Sequence, residues 1–522
     1  PAMRWLLPSL LVAIGSPHLQ DSHCVADELN NDEESRPLQV ALLQRSLVLV
    51  SDPVQVDGAV RTTQQPQLAS TQADTRRVSL PAWLCSGVLL AVFFILVQEA
   101  LVAPGLVQPV LSRGTPPQAV FLSIWTCTFA ASSVIMPVAF DFAIALGHGA
   151  VLSGFLVSAG ALGGALGLLA GMSCVEDASW DQSTARRLCV WAGLLTSAIQ
   201  LVEACVAQSA LTGAGGLWTL LALRQGEAFS GAFALAPALA MQRRVYGESG
   251  SSTTLVQCSR SLGIAAGPAL LLLAPERGLP HALAIAASVS LASAALCSLV
   301  LPQKLQHPPA PPVPLKELEM DSGDRKLLVS QMSFFFLVRP FVTAGAEAAT
   351  MMILEVAYGW SAVTSGLSLS LAASASVLLA PFSMATREGT AEAQVFLTCA
   401  VVSLVGCALL FDLKALGAGG LLVGDVLLQS TAGPASAIAE RWAKRAATPN
   451  SAYSPQKFHL VALGSTSLSR FLAPPLARGL LAAGGRNQYG LVQLALLTCV
   501  GYTAVRSCGI WQKVKEPKTP LQ

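Results

Sequence analysis

Arg224 and Glu227 stand three positions apart inside a long apolar stretch, with Gly226 between them and Gly231 a turn further on. In a helix that spacing puts guanidinium and carboxylate on one face, where they can pair. Ionisable groups among apolar residues are costly, so each is a functional candidate by default. The same holds for Arg339, which precedes Pro340, for Glu347 about two turns later, and for Arg470. These five form the candidate substrate- and proton-binding set. Glu227 and Glu347 are the candidate proton carriers, since a carboxyl with little water around it can take up and release a proton within a cycle. Arg339 and Arg470, facing a cavity, would favour an anionic or strongly polar solute. For Arg224 a bracing ion pair within the bundle is the competing reading. Glu99, Asp141, Glu203 and Asp425 complete the group. Asp141 and Asp425 are expected near helix ends, reaching for the membrane interface.

Other chemistries find no support. The chain has no Gly-x-Ser-x-Gly turn, no P-loop and no dinucleotide fingerprint; Gly160 to Gly167 is glycine-rich but follows an apolar run with no strand before it. The twelve cysteines include no Cys-x-x-Cys pair, and most sit inside apolar blocks, where they act as small hydrophobes. No His-x₃-His spacing offers a zinc site. The pattern points to no enzyme, no cofactor, no metal and no nucleic-acid partner.

The elements that must position the charged groups are membrane helices. Of 522 residues, 53% are apolar and 12% charged, too few polar groups to cover a soluble protein of this size. The apolar residues come in blocks of about 20 or more, enough to cross a ~30 Å hydrocarbon core as helix. They fall at about 83–103, 117–146, 149–172, 188–208, 214–242, 254–275 and 281–301, then at about 327–356, 361–385, 393–411, 416–438, 457–482 and 488–508. The Pro-rich, charged segment 302–326 between the two sets reads as an aqueous linker. Upstream, Arg4 and the short apolar run to Gly15 and Ser16 read as a signal peptide over 1–16, and 17–80 as a flexible lumenal or extracellular tail. Residues 510–522 read as a cytosolic tail.

Seven blocks precede the linker and six follow it, and an internal repeat identifies the supernumerary one. Gly147-His148-Gly149-Ala150-Val151-Leu152-Ser153-Gly154 matches Gly359-Trp360-Ser361-Ala362-Val363-Thr364-Ser365-Gly366 at an offset of 212 residues. Ser259-Arg260-Ser261-Leu262 with Pro268 echoes Ser465-Thr466-Ser467-Leu468 with Pro474 at an offset of 206. Two echoes at nearly one offset imply parallel repeats, an arrangement known in transporters. The expected fold is therefore an all-α 6+6 bundle with pseudo-two-fold halves, 117–301 and 327–509, plus one added segment at 81–112. Lys and Arg crowd alternate loops, among them those with Arg186, Arg187, Arg243, Arg244, Arg441 and Lys444, which places these loops and the linker in the cytosol.

Over roughly 117–508 the chain resembles the major facilitator superfamily. Leu220 to Glu227, which carries Arg224 and Gly226, is similar to that family's Arg-x-x-Gly signature. Gly263-Ile264-Ala265-Ala266-Gly267-Pro268 is similar to the Gly-x-x-x-Gly-Pro motif of drug/proton antiporters. Gly263 and Gly267 share a face that admits a close neighbour, and Pro268 deprives the Ile264 carbonyl of its helical donor. The resemblance implies a secondary transporter moving a small molecule by alternating access, with proton-coupled antiport as the leading form. The alternatives are a facilitative uniporter of a polar or anionic solute and a non-transporting receptor of the same fold. The expected setting is a monomer, multi-pass in the lipid bilayer, in the plasma membrane or an endomembrane reached by the secretory pathway.

Overall fold

The computed structural model describes residues 118–176, 182–211, 216–246, 250–273, 278–301, 320–378, 390–447 and 454–513. The expected signal segment, the tail, the added segment 81–112 and most of the 302–326 linker lie outside the described residues.

What is described is almost all helix. The first half runs α1 (Gln118–Ser133), α2 (Ala139–Ala145), α3 (Ala150–Ser158), α4 (Gly160–Glu176), α5 (Gln182–Leu211), α6 (Leu217–Tyr246), α7 (Gly250–Ala269) and α8 (Gly278–Val300). The second runs α9 (Ser322–Ala357), α10 (Ala362–Leu378), α11 (Thr390–Ala408), α12 (Gly417–Ala446) and α13 (Pro455–Trp511). α1 and α2 are one rod interrupted by a turn that contains Pro137, and α3 and α4 are one rod broken at Ala159. α13, 57 residues long, would measure about 86 Å, far more than a bilayer's hydrocarbon core. Gly485, at φ 72° and ψ −174°, divides it into two rods. The described residues thus make six rods before the linker and six after. α9 starts at Ser322, ahead of its apolar block, because the Asp321 carboxylate caps it by accepting from the Gly323 N–H at 2.9 Å.

Glycine chemistry sets one end of the bundle. Gly147, Gly216, Gly278, Gly359, Gly417 and Gly485 all have positive φ, where a side chain is strained. They occupy the turns after every odd-numbered rod, so all six lie at the same end, three in each half. Among the described residues eight helices are long and apolar enough to cross a membrane. α6, with Arg224 and Glu227, is not one of them. The burial pattern is that of a membrane protein turned outward: Leu166, Trp191, Trp218, Leu371, Val401 and Val505 are exposed, whereas Glu203, Arg224, Arg339, Glu347 and Asp425 are buried. The chain is an integral, multi-pass membrane protein.

Apolar clusters fill each half, and Phe140 and Ala150 of the first half join the main cluster of the second. Inside the first half, small residues let backbones touch. On α4, a Cβ on Gly163, Gly167 or Gly171 would fall 2.1 Å, 2.0 Å and 3.0 Å from the carbonyl oxygens of Gln225, Phe229 and Phe233 on α6. Both series advance by four residues, so the glycine face of one helix follows the carbonyl ridge of the other. Gly263 and Gly267 bring α7 against α1 in the same way, with Thr126 O and Ser133 Oγ as the nearest atoms. After Pro268 the helix tightens into a 3₁₀ turn over Leu270–Leu273.

Candidate functional site

A cavity of about 370 Å³ lies where the halves meet, lined by α1 and α3 to α8 on one side and by α9 and α13 on the other. Its walls are mostly apolar, with Trp125, Phe129 and Met351 among them. Its charged lining is four arginines, Arg224, Arg260, Arg470 and Arg478, against two glutamates, Glu227 and Glu347.

The arginine-glutamate pair foreseen in α6 is formed. Arg224 Nη1 bonds Glu227 Oε2, and Glu203 on α5 adds a second carboxylate at 3.7 Å. Gln200, also on α5, donates from Nε2 to Glu227 Oε1 at 2.7 Å. Glu227 is therefore held at both oxygens, and Arg224 has two counter-charges on two helices. Across the cavity Glu347 accepts from Gln429 Nε2 at 2.9 Å, and Arg470 Nη2 stands 4.0 Å from the same oxygen. Each lining carboxylate thus has a glutamine amide and an arginine as neighbours.

Arg339 lies elsewhere. It does not line the cavity; its Nη2 donates to Leu428 O at 2.8 Å and to Thr431 Oγ1 at 2.7 Å, joining α9 to α12 inside the second half. Asp425 corrects an expectation of the sequence. It does not reach an interface but is completely buried in α12, with neither oxygen hydrogen-bonded. Asp141 is exposed in the first turn of α2, where an acid suits the helix dipole.

Two lining arginines were not singled out from the sequence. Arg478 is fully buried on α13 and donates through Nη1 to Ser153 Oγ on α3 at 2.6 Å and through Nε to Ala348 O on α9 at 3.3 Å. It thereby fastens one half to the other. Arg260 on α7 sits 5.2 Å from the centre of the Phe129 ring and makes no ion pair among the described residues. A signal for both was present, since each lies inside an apolar block.

At the glycine-turn end the halves close on each other. Gly154 of α3 packs on Pro475 of α13, and Gly366 of α10 packs on Pro137 and on Pro268 of α7. Phe155 and Phe471 meet near the first contact as a tilted pair, their ring centroids 5.7 Å apart. Gly154 and Gly366 are equivalent in the 212-residue repeat, so the two contacts are related by the pseudo-two-fold.

Among solved structures, the human organic anion transporter MFSD10 (TETRAN) aligns with a TM-score of 0.51 at 14% identity, covering 74% of this chain and 100% of that one. The fold is major-facilitator-like. The nucleoside transporter NupG aligns at 0.48 with 15% identity, over 76% of this chain and 99% of its own. A bacterial homologue of the iron transporter ferroportin, in an outward-facing state, aligns at 0.49 with 13% identity, over 75% and 99%. No family model and no curated protein matches the sequence. At these identities the likeness is one of fold.

Proposed function

We propose that the chain is a secondary transporter that moves a small polar or anionic solute across its membrane by alternating access. The observation that carries this reading is the cavity: both halves line it, and the halves are closed at one end through two pseudo-symmetric contacts. In a bundle of two rigid halves, releasing those contacts while forming others at the opposite end exposes the same cavity to the other side. The rigid units are supported by the apolar clusters that fill each half and by the glycine-carbonyl packing of α4 on α6 and of α7 on α1.

Proton-coupled antiport is the form we favour, with Glu227 and Glu347 as proton carriers. Each carboxylate faces the cavity beside an arginine that a bound anion could engage instead, so proton and solute occupancy would be linked. In this scheme Arg224 and Arg470 contact solute, Arg339 braces the second half, and Gly263, Gly267 and Pro268 shape the α7 wall. The chain works as a monomer, with protons and lipid as its other partners.

Reconstitution of the full chain into proteoliposomes tests this. Flux of a small anion that responds to an imposed pH gradient is the expected result. Flux indifferent to the gradient would mean uniport, and absence of flux for every solute in a folded, correctly inserted protein would leave only the receptor reading.

A further inference from the structure

Most of the charge in the cavity is answered, and what is left over identifies a ligand. Arg224 has two carboxylates, Glu227 and Glu203, and Arg478 is held by Ser153 and the Ala348 carbonyl, although Arg224 Nε and Arg478 Nη2 lack partners. Arg260 has neither a carboxylate nor a hydrogen-bond acceptor among the described residues, only the face of Phe129. Arg470 has one distant contact to Glu347, and its buried Nε lacks a partner. Both arginines line the same cavity, and Arg260 is within electrostatic reach of Arg470 and Glu347. Two guanidiniums with vacant donors against one carboxylate leave a net positive, partly desolvated site. Such groups are costly unless a counter-charge with acceptor oxygens satisfies them.

The surrounding wall constrains the rest of that ligand. Apart from these charges the cavity offers Trp125, Phe129, Met136, Ile264 and Met351, which favour an apolar body over a hydrated one. The volume, about 370 Å³, lies in the range of sites for small organic ligands.

We infer that the cavity binds an organic monoanion, its carboxylate or sulfonate bridging Arg260 of the first half and Arg470 of the second, and its apolar part against Phe129 and Trp125. The inference deepens the proposed transport function and rests on the same cavity. Planar guanidiniums suit this task because they present paired donors to an oxyanion. Because the two arginines belong to different halves, the bound acid group spans the surfaces that alternating access must move relative to each other.

Binding to the purified full chain in detergent tests this without requiring transport. The probes are benzoate, hexanoate and 4-toluenesulfonate, the neutral isosteres benzamide and hexanamide, and inorganic phosphate, read by calorimetry and by shift of the melting temperature. At least one organic anion should bind about tenfold or more tightly than its neutral isostere and than phosphate. Arg260→Gln and Arg260→Met should each remove that preference, and Arg260→Lys should keep part of it. The variants should fold, because Arg260 holds no ion pair; an unchanged melting temperature without ligand verifies this. Failure of all three anions, equal binding of the neutral isosteres, phosphate binding as tight as theirs, or undiminished binding in a folded Arg260→Met protein would each overturn the inference. Anion binding without flux would overturn the transport reading and leave this one standing. Flux unaffected by Arg260→Gln would do the reverse.

Discussion

Gly154 lies against Pro475 so closely that a methyl group on it would stand 2.4 Å from the proline Cα. The obstructing atoms are backbone, which cannot rotate away. On the other side of the pseudo-two-fold, a methyl on Gly366 would stand 2.8 Å from Pro137 Cγ and 3.2 Å from Pro268 Cβ. Gly154→Ala and Gly366→Ala should therefore disfavour this closed-end state. Overpacking costs about 1–3 kcal/mol, which shifts a two-state equilibrium roughly 5- to 150-fold. Transport should fall about tenfold or more while the melting temperature changes little. In a Val157→Cys background, a membrane-impermeant thiol reagent added on the glycine-turn side should label the site faster in either variant than in the parent. Unchanged labelling and transport would show that this contact does not set the conformational balance.

The glycines of α4 should behave differently, because their contacts lie within one half. Gly163→Ala or Gly167→Ala drives a methyl into a carbonyl oxygen of α6, so each should lower the melting temperature and the yield. Gly164→Ala is the internal control, its nearest neighbour being 3.9 Å away. It should be neutral or slightly stabilising, since alanine is favoured over glycine in a helix by about 1 kcal/mol. Equal melting temperatures for all three variants would refute the close packing of these helices.

The outcome at particular residues shows what a single sequence can and cannot carry. Arg224 and Glu227 were legible as a pair because both lie on one helix, where spacing alone fixes their relation. Glu203, the second counter-charge of Arg224, and Gln200 and Gln429, which hold the two lining carboxylates, come from neighbouring helices, and no spacing reports which helices adjoin. The 6+6 architecture was legible because block length and the 212-residue echo are properties of the chain itself. That Gly154 and Gly366 meet prolines across the halves was not, although the echo contained both glycines. Arg260 appeared only as part of a repeated tetrapeptide; whether an arginine within an apolar helix faces water, lipid or a cavity depends on how α7 packs on α1 and α10. Asp425 was misplaced for the same reason, its burial being created by the surrounding second half.

Topology is open to a simple measurement. From the Lys and Arg asymmetry we propose that the 302–326 linker, and with it the end of the bundle opposite the six glycine turns, faces the cytosol. An Asn-x-Thr acceptor inserted into the linker should remain unglycosylated in cells, whereas one inserted in a loop beside Gly216 should accept glycan. Glycan on the linker would reverse the orientation and assign the closed end to the cytosol.

Glu227→Gln separates a proton carrier from a structural brace. The change keeps the side-chain shape but removes titration. On sequence grounds alone it would strand Arg224, and losing the partner of a buried charge costs about 3–5 kcal/mol. The structure supplies a second counter-charge, Glu203 at 3.7 Å, so Glu227→Gln alone should fold. Gln200, which donates to Glu227 Oε1, can still donate to the amide oxygen that replaces it. With folding preserved, the functional result becomes readable: flux driven by a pH gradient should vanish, while solute exchange at equal pH on both sides persists. The double variant Glu203→Gln with Glu227→Gln leaves Arg224 without any carboxylate and should express poorly or melt well below either single variant. A folded Glu227→Gln protein with full pH-driven flux would remove Glu227 from coupling. Glu347, which keeps Gln429 and the more distant Arg470, would then take the same test through Glu347→Gln.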